Sequence, residues 1–264
     1  MDFVRTFYND CRVYVAAHPK VTLFTLAILA AVELRIIQRA WRKIFVFFEV
    51  KLSKRLNAKL RRKKQQLFEA LFRPDAGREG APLRVVEIGL GGGSNFDFYP
   101  HGTEIVGVDP NPDYLKYLHQ EMDTSSGQRV TMTNVICAGA EEMGQHIEEN
   151  SVDAVVATLV LCTVQDVRAV VDSCRFVLRP GGVFLFLHHN KADSETHPWK
   201  AMVQDWITPL TFLIADGCHF DRDPIHDIQN AGFSSVSYEK YTPGGTRFAP
   251  LSPVYPLLIG TAVK

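Results

Sequence analysis

The chain has 264 residues, with 29 Lys and Arg set against 29 Asp and Glu, enough for one domain of about 180–200 residues and an appendage. The neutral total hides a split: residues 1–64 carry +11 and residues 65–264 carry −11. An acidic body excludes a nucleic-acid substrate, because a domain that touches phosphates carries a basic footprint. Cys11, Cys137, Cys162, Cys174 and Cys218 are odd in number and form no Cys-x-x-Cys pair, so they read as reduced thiols and not as a disulfide frame or a zinc site.

Val21 to Val32 is an uncharged, mostly apolar run of twelve residues, and a second apolar patch follows at Ile44 to Phe48. Twelve residues fall short of the roughly 20 needed to span a bilayer, and extending back to Val13 brings in His18, Pro19 and Lys20. Residues 35–64 hold twelve Lys and Arg and a single acid, Glu49. A signal-anchor with its basic flank in the cytosol, a monotopic insertion at the interface, and a core helix all remain open readings. Leu52, Leu56, Leu60, Leu67 and Leu71 recur at helical spacing, which predicts one amphipathic helix from about Glu33 to Phe72. Its first part is expected to lie on anionic lipid and its last part on the following domain. Residues 1–72 are expected to form a membrane anchor with a basic amphipathic helix, 73–82 a Pro- and Gly-marked linker, and 83–264 the main folded domain.

After the linker, Leu83 to Val86 reads as a buried strand that runs into Glu87-Ile-Gly-Leu-Gly-Gly-Gly-Ser94. Gly89, Gly91 and Gly93 suit a tight loop on which a nucleotide can lie close to the backbone. A second strand, Glu104 to Val108, ends at Asp109, where an acid can accept both ribose hydroxyls of a nucleotide cofactor. Ser94 stands where dinucleotide enzymes place Gly or Ala. The alternating glycines behind Glu87 suit a cofactor with a cationic amino group, which points to S-adenosylmethionine. A third strand is expected over Val135 to Glu141 and a fourth over Ser151 to Ala157. A helix should end at Arg179, turn through Pro180-Gly181-Gly182 and open a fifth strand, Val183 to Leu187. The alternation predicts an α/β, doubly wound parallel sheet, with ligands at the carboxyl ends of its strands.

These residues together resemble the class I S-adenosylmethionine-dependent methyltransferases. Ser94 to Pro100, Val108-Asp-Pro-Asn-Pro112, Thr158-Leu-Val-Leu-Cys162, Val177 to Gly182, Asp216-Gly-Cys218 and Gly260 to Lys264 narrow the resemblance to the methyltransferase-like protein 7 family, from about Lys63 onward. Two departures stand out: Leu90 and Gly92 replace the family's Cys and Thr in the glycine loop, and His188 replaces its Glu before His189. The resemblance implies a Rossmann-like sheet behind a membrane-associated helical segment. It also implies alkyl-thiol S-methylation at the cytosolic face of the endoplasmic reticulum membrane, with lipid droplets as a second location.

The resemblance places Glu87, Gly89, Gly91 and Gly93 on the cofactor's methionine side, Asp109 at the ribose, Ala140 and Glu141 near the adenine, and Leu159 beside the cofactor. His189 matches the family histidine and is the catalytic candidate; only one of His188 and His189 can face the site. Cys162 and Cys174 read as small packing groups. Trp199, Trp206 and Phe212 suggest a lid over a small apolar acceptor. No metal is expected, since His188, His189 and Asp193 do not make an evident ligand set. A thiol needs little beyond deprotonation, whereas an oxygen or carbon acceptor would want a strong base. Methylation of a lipid or quinone, and a non-catalytic membrane scaffold, are the competing functions.

Overall fold

A computed structural model of the chain describes residues 19–73, 80–243 and 252–264. The first eighteen residues of the expected anchor and most of the expected linker therefore lie outside the described residues. The chain divides into two compact units, residues 1–44 and 45–264. The first unit's described part is helical, within α1, Pro19–Phe68. Helix α1 thus begins earlier than the Glu33 expected from sequence. Among the described residues, no helix is long and apolar enough to cross a membrane.

The second unit holds a seven-stranded sheet: β1 Arg84–Ile88, β2 Thr103–Val108, β3 Val130–Ile136, β4 Val152–Thr158, β5 Leu178–His189, β6 Ser235–Tyr241 and β7 Leu257–Val263. The strand order is β3-β2-β1-β4-β5-β7-β6. The strands from β3 to β5 pair in parallel, and β7 runs antiparallel between β5 and β6. The expected doubly wound α/β sheet is therefore present. The third strand lies earlier than expected, over 130–136 and not 135–141. It is an edge strand with mostly exposed or half-buried side chains, so it lacks the apolar run that marks β4, whose six leading residues are all buried.

Helices α2 Leu115–Met122, α3 Val167–Val177, α4 Pro198–Ile214 and α5 Ile225–Asn230 complete the unit. Asp166 caps α3, its carboxylate accepting from Ala169 N at 3.1 Å. The helix ends at Val177, two residues before Arg179. The ladder then steps from Val152↔Leu178 to Ala154↔Val183, so residues 179–182 bulge out of β5. Gly181 at φ +76° makes the expected turn inside the strand. Buried Asp153 pins the bulge, accepting from Arg179 Nε at 2.7 Å and Arg84 N at 2.8 Å.

One sheet face packs on α3 and α5 through Val170, Val171, Cys174 and Ile228. The other packs on Leu60, Leu67, Phe68 and Leu71. The segment 45–72 thus belongs to the catalytic unit, which starts before the 83 expected from sequence. Leu60 and Leu67 are buried as their spacing predicts, whereas Leu52, on the same predicted stripe, is exposed.

Candidate active site

Two cavities lie at the carboxyl ends of β1, β2 and β4, and they share Gly89, Pro110, Val160 and Thr163. The first, about 160 Å³, is lined by the 89–92 loop, Asp109, Tyr114, Thr158, Leu159 and Asp216. The second, about 300 Å³, is lined by Gly139, Ala140, Glu141 and Gln165, among others. Gly89 sits at φ +65°, and a Cβ there would come 2.7 Å from Val160 Cγ2. Only glycine lets the loop pass under Val160 where the cavities meet. Leu159 also has positive φ, +58°, a strained conformation for a branched side chain of the kind held at functional sites.

Asp109 closes the first cavity. Its Oδ2 accepts from Gly91 N and its Oδ1 from Asn111 N, each at 2.9 Å. Each oxygen keeps a lone pair for a ligand hydroxyl. Burial raises its pKa, and the two amide bonds oppose the rise. Glu141 has one oxygen committed to Gln165 N at 2.8 Å and Asp166 N at 3.2 Å, so it braces the second cavity while lining it.

Helix α1 supplies a wall that the sequence analysis did not foresee. Phe45, Glu49, Ser53 and Asn57, four residues apart, line the first cavity together with Lys64. Residues at i and i+4 share one face of a helix, so this polar stripe is a surface of the cleft. Glu49 faces Tyr114 across the cavity wall, and its pKa is raised to about 7, chiefly by burial and further by Asp109.

Glu87 stands elsewhere. It is buried and lines neither cavity. Asn95 Nδ2 donates to its Oε1 at 2.7 Å and Tyr99 OH to its Oε2 at 2.8 Å. Lys64 Nζ donates to Asn95 Oδ1 at 2.5 Å and to Asn57 Oδ1. Asn95 also reaches Thr158 Oγ1 at 2.8 Å, and Asn57 Nδ2 bonds Ser94 O. Helix, glycine loop and β4 are thereby joined through one buried network. Burial pushes Glu87 up to about 7, and burial lowers Lys64 to about 8.

Residues 86–186 match the family description of a methyltransferase domain. The human thiol S-methyltransferase TMT1B is 34% identical over 254 residues, covering 93% of this chain and 98% of that protein. The human thiol S-methyltransferase TMT1A is 34% identical over 225 residues, covering 84% and 87%. The chain belongs to the thiol S-methyltransferase family. This agrees with the resemblance that the motifs carry. A solved S-adenosylmethionine-dependent methyltransferase from Mesorhizobium loti shares the fold, with a TM-score of 0.51, 17% identity, and coverage of 75% of this chain and 95% of that one.

In this member of the thiol S-methyltransferase family, Gly89, Gly91, Asp109, Ala140, Glu141 and Leu159 line the paired cavities. Gly93 does not: a Cβ there would meet the Phe96 ring at 2.6 Å, so its smallness serves packing behind the loop. Gly92 packs on the helix with room for a small side chain, since a Cβ would make ordinary contact with Val50 and Tyr117 at 3.4 Å. Leu90 is buried in the core beneath.

His188 and His189 face opposite ways, as strand geometry requires. His188 is fully buried, its Nδ1 donating to His189 O at 2.7 Å and its ring near Phe186. His189 lines neither cavity. Its ring packs edge-on to Phe220 at 5.0 Å, and Nδ1 bonds Val254 O at 3.0 Å. Burial lowers both imidazoles to about 4, so both are neutral. Trp199 and Trp206 are 67% and 74% exposed, and Phe212 is also exposed. These aromatics on α4 face solvent and do not cover an acceptor pocket as expected.

Proposed function

We propose that this protein transfers a methyl group from S-adenosylmethionine to the sulfur of a small apolar thiol, while attached to a membrane through its N-terminal residues. The supporting observation is the pair of joined cavities around Asp109, carried by a chain that resembles thiol S-methyltransferases over nearly its whole length. The cleft suits the cofactor: a glycine neck that admits no side chain, free lone pairs on Asp109, and a separate chamber at Ala140 and Glu141. When bound, S-adenosylmethionine supplies an already activated methyl group. Asp109 takes the ribose hydroxyls. Glu49, not the fully engaged Glu87, is the carboxylate available to a cationic amino group. The residues' work is alignment and exclusion of water.

Among the described residues, the ionisable groups on the first cavity's wall are Glu49, Lys64, Asp109, Tyr114 and Asp216, with no imidazole. A carboxylate is a poor base for an alcohol, but a thiol with a pKa of about 8.5 already supplies some thiolate near neutral pH. That favours sulfur over the oxygen of a lipid or quinone. The test is turnover of an alkyl thiol against its hydroxyl analogue, with labelled cofactor. Faster turnover of the hydroxyl compound overturns the reading.

Membrane attachment is supported by the exposed Phe47, Phe48 and Leu52 amid the basic run, and by a second apolar stripe on α4: Trp199, Trp206, Leu210 and Leu213. Apolar area of this kind beside Lys and Arg suits the interface of an anionic bilayer. The cytosolic face of the endoplasmic reticulum, or a lipid droplet, fits reduced cysteines. Digestion of the catalytic unit by protease added to intact microsomes tests that orientation; full protection overturns it.

A further inference from the structure

Three side chains distant in sequence meet behind the wall of the first cavity. Cys162 follows β4, His189 ends β5, and Cys218 lies in the turn after α4. Their donor atoms all fall within 4.8 Å of one another. Cys162 and Cys218 are buried and share a small core with Phe220, and the Cys162 thiol donates to the Leu159 carbonyl at 3.7 Å.

The backbone fixes each member. His219 N donates to Cys162 O at 2.8 Å, tying the two cysteine loops together. Asp216 and Gly217, at φ +50° and +83°, make the turn that delivers Cys218. Thr211 Oγ1 donates to Cys218 O at 2.8 Å. The His189 Nδ1 contact is with the Val254 carbonyl, which can only accept. Nδ1 therefore carries the proton, and Nε2 presents a lone pair. Metal-binding histidines are oriented in this way, with the second ring nitrogen donating to a carbonyl or carboxylate.

We propose that Cys162, Cys218 and His189 bind one Zn²⁺ ion through two thiolates and one imidazole, leaving a fourth tetrahedral position to a small donor. Two sulfurs and a neutral nitrogen suit a borderline-soft ion and offer no oxygen to Mg²⁺ or Ca²⁺. Zinc–sulfur bonds of about 2.3 Å put tetrahedral sulfurs about 3.8 Å apart, so closure needs donor movements of only about 1 Å. The ion would staple three segments. Leu159 and Thr163 flank Cys162, and Ala215 and Asp216 precede Cys218; all four line the first cavity. The site holds that wall in place without using any residue of the cofactor cradle.

The test uses the full chain, purified with a phosphine reductant from zinc-supplemented cells. Metal analysis should find one equivalent of zinc per chain. Replacement by Co²⁺ should give the near-ultraviolet thiolate charge-transfer band and the intense visible bands of a tetrahedral site. Cys162→Ser and Cys218→Ser should each abolish the equivalent and the band, whereas exposed Cys137→Ser should keep both. Binding of S-adenosylhomocysteine by the variants reports that they fold. Four results overturn the proposal: zinc well below one equivalent, no charge-transfer band in the wild-type chain, a band that survives in Cys218→Ser, or a Cys162–Cys218 disulfide in the reduced preparation.

Discussion

Lys64→Met should cost this protein more stability than any other single change in its basic segment. The substitution keeps most of the stem and removes the ammonium group of a residue that is 2% exposed. It deletes the bonds to Asn95 and Asn57, leaves the buried Asn95 amide oxygen and the half-buried Asn57 one unpaired, and takes away the cation nearest Glu87. Removing one partner of a buried charged network costs about 3–5 kcal/mol. For a domain of this size that lowers Tm by about 6–20 °C, at roughly 2–4 °C per kcal/mol. Exposed Lys51→Met, one face away, should change stability by less than about 0.5 kcal/mol. The measurement is thermal melting of the full chain in mild detergent, with a double-mutant cycle through Glu87→Gln. The coupling should exceed about 1 kcal/mol, because neutralising Glu87 removes the charge that Lys64 balances. A Lys64→Met loss under about 1 kcal/mol, or strict additivity with Glu87→Gln, would refute the network as the link between helix and glycine loop.

Asp109→Ala should weaken S-adenosylmethionine by roughly ten- to a hundredfold, the effect of about 1.5–3 kcal/mol from charged-acceptor hydrogen bonds, read by calorimetry. Glu49→Gln should weaken it over a similar range, with a distinct pH signature. The Glu49 pKa is raised to about 7, so the free protein holds its proton below that pH and must release it to meet an ammonium group. Wild-type affinity should therefore rise from about pH 6 to 7, while the ligand's amino group stays mostly charged, and Glu49→Gln should flatten the slope. An unchanged slope would remove Glu49 from the site. Deletion of residues 1–44 should release much of the protein from membranes and preserve cofactor binding. Deletion of residues 1–72 should abolish binding, because Lys64, Leu60 and Phe68 go with it. The remaining membrane fraction of the shorter deletion should fall further in Trp199→Glu/Trp206→Glu; an unchanged fraction would dismiss the α4 stripe as a lipid contact.

The central fold was legible because β1, β4 and the latter half of β5 are buried on both faces and read as plain apolar runs. The glycine loop was legible because close approach at Gly89 leaves no room for a side chain, and Asp109 because an acid stands directly after β2. Edge strand β3 was misplaced because only part of it is buried. The helix face of the cleft was overlooked for a different reason. Lys64 and Glu49 sit in a segment whose charge dominates its composition, and a lipid-facing base cannot be told from a buried one by type. A signal was present all the same: the only acid among residues 35–64 falls in register with Ser53 and Asn57. Exposure of Trp199 and Trp206 could not be read from aromatic content, since an apolar stripe serves a pocket and an interface equally well. The meeting of Cys162, His189 and Cys218 depends on sheet order, which brings together loops far apart in sequence.

The antiparallel strand β7 also sets an order of assembly. It lies between β5 and β6, although both precede it in the chain. Until residues 257–263 are synthesised, β6 has no neighbour and β5 has an open edge beside the Phe184–Leu187 core. Five strands and the cofactor cradle can form first, as a half-finished sheet with a sticky border. A premature stop that removes only those last residues would orphan β6 and leave the β5 edge open, and the expected product is an aggregate that chaperones retain, not a slightly weakened enzyme.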